Sequence, residues 1–246
     1  MPNFFIKKAQ IEKGQIRITG ELLNHLRDSL RIQKGEKFVC VDEDSNKYIV
    51  EVSSVSKALL IGDVIEKTGI EKIPAVYIHL IQAIPKGPKL DFIIQKSTEL
   101  GVNAITPVIS ERSVVRIEKE RVKDKSERWK RIALEAAQQS NRMDVPDVAL
   151  PVTLRDFLSS FIKADLNLLL LEGEQRSGIR DLRHRVQDVK NITLLIGPEG
   201  GFSESEVRMA IEKGFIPVSL GELILRTETA PVVALSILQY EFGNMG

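Results

Sequence analysis

Residues 192–203 read Ile-Thr-Leu-Leu-Ile-Gly-Pro-Glu-Gly-Gly-Phe-Ser. The first five are typical of a buried strand, and they lead directly into the glycine-rich segment 197–201. Ser203 is followed three residues later by Glu206, the spacing of a capping box that begins a helix. A strand, a glycine-rich turn and a helix N-terminus form a ligand-binding crevice at the carboxyl edge of an open α/β sheet. The same segment is also consistent with a tight connection that binds nothing.

Predicted strands and helices alternate on both sides of this stretch, from residue 74 to residue 246. The strands fall at 76–84, 104–109, 148–150, 166–171, 192–196 and 215–220, and the helices at 89–100, 120–142, 153–161, 178–186, 204–213 and 228–242. This alternation is typical of an α/β fold, in which helices cover both faces of a mainly parallel sheet.

The first 70 residues have a different character. Short alternating strands are predicted at 15–19, 38–41, 48–55, 59–61 and 64–65, with one short helix at 20–30. This pattern indicates a small barrel-like β module. Gly69 and Pro74 mark a linker, so we expect one domain at 1–70 and a second at 74–246.

Composition excludes several classes of protein. The chain has 246 residues, of which 43% are hydrophobic, and a net charge of +1. No apolar run approaches the length that spans a membrane, and the first residues lack the layout of a signal peptide. The single cysteine, Cys40, excludes an internal disulfide framework, and the three histidines have no metal-ligand spacing. We expect a soluble cytoplasmic protein without a metal site.

The positive charge is concentrated in one segment. Residues 111–131 contain nine Lys or Arg and five Asp or Glu, a local net charge of +4. Such a segment is usually a solvated helix face with ion pairs, and an RNA-binding surface is the alternative.

Three predicted strands end in loops that contain polar residues or glycine, at 170–173, 197–201 and 220–230. Loops that follow parallel strands emerge at the same edge, so together they predict one pocket. The third loop joins an apolar part, 223–225, to a polar part, 226–229, which suits a ligand with a flat face and charged groups. Thr227 and Thr229 are candidates either to cap the last helix or to contact the ligand. The chain contains no P-loop, dinucleotide or nucleophile-elbow motif.

Several segments, in this order, resemble one family. They are 25–31, 96–102 (Lys-Ser-Thr-Glu-Leu-Gly-Val), 111–113, 135–142, 195–203 and 224–230 (Ile-Leu-Arg-Thr-Glu-Thr-Ala). Over nearly its whole length the chain is similar to the RsmE-type methyltransferases of the knotted SPOUT superfamily. It departs from their pattern at Glu222 and Leu223, where the family usually has proline and arginine.

The resemblance implies S-adenosyl-L-methionine-dependent methylation of N3 of one uridine in 16S ribosomal RNA of the small subunit. It also implies a PUA-like RNA-binding barrel at the N-terminus, a trefoil-knotted domain after it and a homodimer. The residues expected to bind the cofactor are Leu171, Glu172, Gly173, Gly197, Gly200, Gly201, Leu220, Leu225 and Thr227. Those expected to contact RNA are His25, Arg27, Arg31, Arg112, Arg116, Gln139 and Arg142.

Methylation at N3 requires removal of the N3 proton. The site must therefore supply a base, or a cation that stabilises charge developing on the uracil oxygens. We assign the cationic role to Arg226, with Glu228 or Glu199 acting as the base or orienting Arg226. A structural ion pair at the helix terminus is the alternative for Arg226.

Other functions remain open on the sequence. The chain could be a non-catalytic RNA-binding or ribosome assembly protein on the same fold, or a methyltransferase that acts on another RNA. A flavodoxin-like enzyme that binds a nucleotide or phosphate at residues 197–201 is a further alternative.

Overall fold

The computed structural model describes residues 2–69, 75–113, 119–173, 178, 188–243 and 245. These residues separate into two compact units. The first comprises Met1–Lys72 and Ala137–Asp144, and the second comprises Ile73–Ala136 and Val145–Gly246. The linker predicted around residues 70–74 falls outside the described residues, so the domain boundary stays a prediction.

The described part of the first unit contains a six-stranded sheet. Its strands are β1 (Asn3–Phe5), β2 (Ile11–Glu12), β3 (Gln15–Ile18), β4 (Lys37–Val41), β5 (Asn46–Val55) and β6 (Leu60–Gly69), in the spatial order β1-β4-β5-β6-β3-β2. Strand β1 pairs parallel with β4, and the other pairs are antiparallel. The separate strands predicted at 59–61 and 64–65 are wrong: both belong to β6, whose register shifts against β5 interrupt the alternation.

One short helix packs on this sheet. Helix α1 (Gly20–Asn24) continues into a π-helical turn, His25–Ser29. Leu23 and Leu26 are buried with Ile16, Ile18 and Phe38 of the sheet. The leucine spacing of residues 20–30 predicted the helix correctly as far as Leu26, because these side chains form its apolar face, whereas Leu30 lies beyond the helical turn and is 48% exposed.

The described part of the second unit contains a seven-stranded sheet in which every pair is parallel. Its strands are β7 (Tyr77–Ala83), β8 (Ala104–Ile109), β9 (Asp147–Val148), β10 (Val152–Thr153), β11 (Leu166–Leu170), β12 (Asn191–Ile196) and β13 (Ile216–Val218). The spatial order is β10-β8-β7-β12-β11-β13, and β9 also pairs with β8. The predicted α/β fold with a parallel sheet is confirmed.

The described helices of this unit follow the predicted order. They are α2 (Lys89–Glu99), α3 (Lys119–Gln139), α4 (Leu154–Ser159), α5 (Glu204–Glu212) and α6 (Thr229–Phe242). The last three residues of α3, 137–139, are counted with the first unit. The helix predicted at 178–186 lies outside the described residues, apart from Gly178. The capping box at the start of α5 is confirmed, with the Ser203 hydroxyl and the Glu206 carboxylate each accepting a backbone N–H. Within the described ranges, no helix combines the length and apolar character needed to cross a membrane.

The sheet of the second unit is buried on both faces. Along β12, Leu194 and Ile196 belong to one apolar cluster and Leu195 to another. Trp129 of α3 and Leu235 of α6 complete the first cluster, and Leu158 of α4 with Ala210 of α5 completes the second. Burial on both faces explains why these strands read as continuous apolar runs.

Candidate active site

The loops after β11, β12 and β13 meet at the carboxyl edge of the sheet and surround a pocket of about 670 Å³. Its walls are residues 170–173, 196–202 and 219–227, together with Lys89, Arg112 and Ala230. All nine residues predicted to bind the cofactor line this pocket. The structure therefore brings together three loops that are far apart in the sequence.

The backbone of the second loop, which follows β12, folds back closely on itself. A Cβ added to Gly197 would lie 3.3 Å from the Cα of Gly201 and 3.4 Å from the Phe202 ring. Gly201 has φ of +64°, a left-handed conformation that favours glycine. Glycine at these two positions lets the loop fold tightly and keeps its backbone groups accessible to the pocket.

A side chain of the third loop holds the second loop. The Thr227 hydroxyl donates a 2.9 Å hydrogen bond to the carbonyl oxygen of Gly197. The buried Gln82 amide, at the end of β7, donates to the same oxygen at 3.4 Å. The expectation that Thr227 or Thr229 caps the last helix is wrong, because Glu228 occupies the N-cap position of α6 and no side chain caps it.

The segment after β8 supports the second loop from the other side. Oε1 of the buried Glu206 accepts the backbone N–H of Glu111 at 2.8 Å, while Oε2 accepts that of Ser203 at 2.9 Å. Arg112, predicted to contact RNA, donates from Nη1 to the Gly200 carbonyl at 3.0 Å. This hydrogen bond stabilises the pocket wall that the second loop forms.

Two predicted catalytic carboxylates share a lysine that the sequence did not reveal. Lys89 Nζ lies 2.9 Å from Glu199 Oε1 and 3.2 Å from Glu228 Oε2. We call Lys89, Glu199 and Glu228 the Lys89 cluster. The backbone N–H of Lys86 adds hydrogen bonds of 3.2 and 3.3 Å to the two oxygens of Glu199. The cluster joins the start of α2, the second loop and the start of α6.

The cluster keeps its members charged. Burial raises the pKa of Glu199, but hydrogen bonds from Lys89 and from backbone N–H groups outweigh it, so the net pKa is lowered. The pKa of Glu228 is lowered by a hydrogen bond to its own backbone N–H and, against burial, by Lys89 and Arg226. The hydrogen bond to Glu199 and the ion pair with Glu228 raise the pKa of Lys89. Both carboxylates are therefore ionised at neutral pH and are weak bases.

Arg226 lines the pocket and is exposed. Its carbonyl oxygen accepts the N–H groups of Thr229 and Ala230, at 2.8 and 3.0 Å, which fixes its backbone at the start of α6. Its charge contributes to the lowered pKa of Glu228. The neighbouring apolar residues Leu223 and Ile224 are 83% and 76% exposed, so the third loop presents both kinds of surface to solvent.

The residues predicted to contact RNA fall into two groups. His25, Arg27, Arg31, Gln139 and Arg142 belong to the first unit, and Arg112 to the second. Arg116 lies outside the described residues. His25, Arg31, Gln139 and Arg112 are exposed.

Two of these arginines also have structural partners. Arg27 pairs with Asp28 at 2.6 Å and donates to the Lys57 carbonyl at 2.7 Å, and Arg142 pairs with Asp144 at 2.8 Å. The side chain of Arg142 is only 10% exposed. Arg31 does not lie on the helix that carries His25 and Arg27, because the helical turn ends at Ser29 and Arg31 has φ of +53°.

His79 and Cys40 do not line the pocket, and burial shifts the pKa of each. His79 of β7 forms a 2.8 Å hydrogen bond with the Thr106 hydroxyl and contacts the edge of the Phe157 ring. Its burial lowers its pKa to about 4, against a smaller opposing effect of Asp147. Burial raises the pKa of the Cys40 thiol. Across the described residues, no three His, Cys, Asp or Glu side chains are arranged to hold a metal ion.

Comparisons with known proteins agree with the fold. Residues 71–239 match the model of an RNA methyltransferase domain, and residues 18–65 match an RNA methyltransferase PUA domain. These matches define the class as an RNA methyltransferase with a PUA-like domain.

Proteins that are similar over nearly the whole chain identify the family within this class. The chain is 35% identical to ribosomal RNA small subunit methyltransferase E of Bacillus subtilis, over 98% of this chain and 97% of that protein. It is 30% identical to the protein of that name from Buchnera aphidicola, over 100% and 98% of the two chains. A crystal structure of the Neisseria gonorrhoeae protein of that name, bound to S-adenosyl methionine, superposes with a TM-score of 0.89 at 32% identity and covers both chains fully. The chain belongs to the ribosomal RNA small subunit methyltransferase E family.

Proposed function

We propose that this protein transfers a methyl group from S-adenosylmethionine to N3 of a uridine in 16S ribosomal RNA of the small subunit. The observation that carries the proposal is the three-loop pocket, where all nine residues predicted to bind the cofactor converge. The Neisseria relative, whose structure contains S-adenosyl methionine, supports the same choice of cofactor.

The pocket suits this cofactor chemically. Leu171, Leu220 and Leu225 provide apolar surface for an adenine ring, and the glycine-rich second loop provides backbone groups for hydrogen bonds. Charged groups at the pocket, including Glu172, Arg112 and Arg226 among its lining residues, suit the charged amino-acid end. No phosphate-binding lysine motif accompanies residues 197–201, which favours an adenosyl ligand over a nucleotide.

When bound, the cofactor supplies an electrophilic methyl group on a sulfonium. The protein must then hold uracil N3 in line with that methyl, and such positioning supplies much of the rate enhancement. Because N3 lies on the Watson–Crick edge, the target uridine must be unpaired or extruded. The exposed Arg226, at the mouth of the pocket, stabilises negative charge on uracil O2 or O4 as the N3 proton departs.

The carboxylates have a lesser part in proton removal. Glu199 and Glu228 have lowered pKa values, so each is ready to accept a proton but is a weak base. An ionised carboxylate still serves to receive the proton once a cation has made N3 more acidic. We therefore assign the larger electrostatic contribution to Arg226 and the proton-accepting role to Glu199, which lines the pocket whereas Glu228 does not.

The remaining roles follow the family. We propose that residues 1–70 form the RNA-binding domain and residues 74–246 the catalytic domain, which contains a trefoil knot and forms a homodimer in the cytoplasm. His25, Arg27, Arg31, Arg112, Arg116 and Arg142, together with the neutral amide of Gln139, position the RNA through phosphate contacts, and the affinity of the charged contacts falls with salt. If affinity for ribosomal RNA stayed constant between low and moderate salt, these side chains would not act as phosphate contacts.

The test is methyl transfer from labelled cofactor to assembled small subunits, naked 16S RNA and transfer RNA, with calorimetry of cofactor binding. We expect label in small-subunit RNA. Label in transfer RNA alone would assign another substrate. Cofactor binding without transfer to any RNA would indicate a non-catalytic RNA-binding protein. Displacement of the cofactor by ATP or FMN would favour the nucleotide enzyme.

A further inference from the structure

Lys89 lies where a cation is unfavourable for its own helix. It is the first residue of α2, directly after the N-cap Pro88. The positive end of the helix dipole and unpaired backbone N–H groups are at this terminus, so a carboxylate would stabilise the helix and a lysine does not. The position of Lys89 therefore needs an explanation other than helix stability.

The contacts of Lys89 provide one. Its ammonium lies 2.9 Å from Glu199 of the second loop and 3.2 Å from Glu228 at the N-cap of α6. Lys89 and Glu199 both line the pocket, and Glu228 is two residues from Arg226. The lysine is 33% exposed, and the side chains of Glu199 and Glu228 are 37% and 21% exposed. One cation thus joins three chain segments at the edge of the pocket.

We infer that Lys89 is a positioning residue, which holds the Glu199 and Glu228 carboxylates beside the pocket and keeps both of them ionised. This inference rests on the proposed methyl transfer and adds a residue to it. Without Lys89, the two carboxylates would face each other with less compensating charge. Repulsion between them would raise the pKa of at least one carboxylate.

Groups other than Lys89 also stabilise the two carboxylates. Glu199 also accepts the backbone N–H of Lys86, and Glu228 is stabilised by its own backbone N–H and by the charge of Arg226. These groups remain when Lys89 is replaced, so part of the effect on the carboxylates persists. Lys89 is nevertheless the cation that contacts both carboxylates, and its removal affects both together.

Lys89 affects the pH at which activity is lost on the acidic side. Lowered carboxylate pKa values keep Glu199 and Glu228 ionised down to acidic pH, so activity that needs an ionised carboxylate is lost only as the pH falls through those values. Replacing Lys89 by glutamine raises the pKa values, and the acidic limb of the kcat–pH profile moves to higher pH. Lys89→Arg restores the charge and returns the limb towards its original position.

The experiment compares the wild type with Lys89→Gln, Lys89→Arg and the control Lys96→Gln. Lys96 belongs to the same helix and pairs with Glu99 at 2.8 Å, away from the pocket. Each variant is measured for kcat and KM against pH, for cofactor affinity and for thermal unfolding. Independently, carbon-13 NMR titrates the glutamate carboxyls, with Glu199→Gln and Glu228→Gln used to assign the signals.

For Lys89→Gln we expect the titrations of Glu199 or Glu228 and the acidic limb of kcat to move to higher pH together, while Lys96→Gln leaves both unchanged. At neutral pH we expect kcat to fall about tenfold because the carboxylates are no longer held beside the pocket, which corresponds to about 1.4 kcal/mol of lost transition-state stabilisation. An acidic limb and carboxyl titrations that stay in place in folded Lys89→Gln would overturn the inference. If the wild type transfers no methyl group, the proposed function fails, and the NMR titration alone still decides whether Lys89 keeps the carboxylates ionised.

Discussion

The hydroxyl of Thr227 donates to the carbonyl oxygen of Gly197 across 2.9 Å, and this hydrogen bond joins the loops that follow β13 and β12. Thr227 is 7% exposed, so the bond is shielded from water. Both residues line the pocket. The bond therefore holds two pocket walls at a fixed separation, which is how a pocket made of separate loops becomes preorganised for its ligand.

Thr227→Val tests the contribution of this hydrogen bond. Valine keeps the shape of the side chain and removes the donor, leaving the Gly197 carbonyl with the longer bond from Gln82. A hydrogen bond of this kind contributes about 1 kcal/mol, so we expect cofactor affinity to fall about fivefold in calorimetry. Thr229→Val is the matched control, because Thr229 is exposed and does not line the pocket. Equal affinities for the two variants would remove Thr227 from this role.

Arg226→Ala tests the electrostatic assignment. If Arg226 stabilises charge on the uracil in the transition state, kcat should fall by about two orders of magnitude while cofactor affinity changes little. Arg226→Lys should recover part of the activity because it retains the charge. Single-turnover kinetics with saturating cofactor measure this. Undiminished turnover in Arg226→Ala with intact cofactor binding would return Arg226 to a structural ion-pair role.

Glu206→Ala tests the anchoring of the second loop. The change leaves the backbone N–H groups of Glu111 and Ser203 without their carboxylate acceptor. Because Glu206 is 3% exposed, we expect a loss of about 2 kcal/mol in the free energy of unfolding, measured by urea denaturation. Glu204→Ala, at an exposed position of the same helical turn, is the control. Equal stabilities for the two variants would show that the anchor contributes nothing.

His79 predicts a pH dependence of stability. Burial lowers its pKa to about 4 in the folded state from the ordinary value of 6.5, so the unfolded chain takes up the proton first as pH falls. The contribution of neutral His79 to the free energy of unfolding is complete above pH 6.5 and is lost as the pH falls towards 4. At about 1.4 kcal/mol per pKa unit, the loss is at most about 3.5 kcal/mol.

His79→Gln should therefore flatten the stability curve between pH 7 and pH 4, because glutamine does not titrate. Urea denaturation at several pH values measures this, with His25→Gln, at an exposed position of the first unit, as the control. Parallel curves for the wild type and His79→Gln would contradict the assigned cause.

The parallel sheet of the second unit was predictable because its strands are buried on both faces. Residues 104–109 and 166–170 are consequently mainly apolar, with one buried polar residue each, Thr106 and Asn167, and their length and flanking turns match the strands. The glycine-rich turn at 197–201 and the capping box of Ser203 and Glu206 also predicted the second loop, because both are patterns of residues close together in the sequence. Once three strand ends were identified, the common edge of a parallel sheet implied a single pocket.

The interactions that complete the site depend on residues far apart in the chain. Lys89 and Glu199 are separated by 110 positions, and Glu111 and Glu206 by 95. No local pattern indicates such pairs, although a lysine at the first position of a helix was a signal that something else stabilises it. The parallel pairing of β1 with β4 was missed for a similar reason, because β1 has only three residues.

The most direct test of the account is nucleoside analysis of 16S RNA from small subunits methylated by the purified protein with labelled S-adenosylmethionine. The account predicts that the label is found as 3-methyluridine at one position, and that Arg226→Ala gives little of it in the same time. Label in another modified nucleoside, or no label in RNA despite cofactor bound in the pocket, would contradict the central claim.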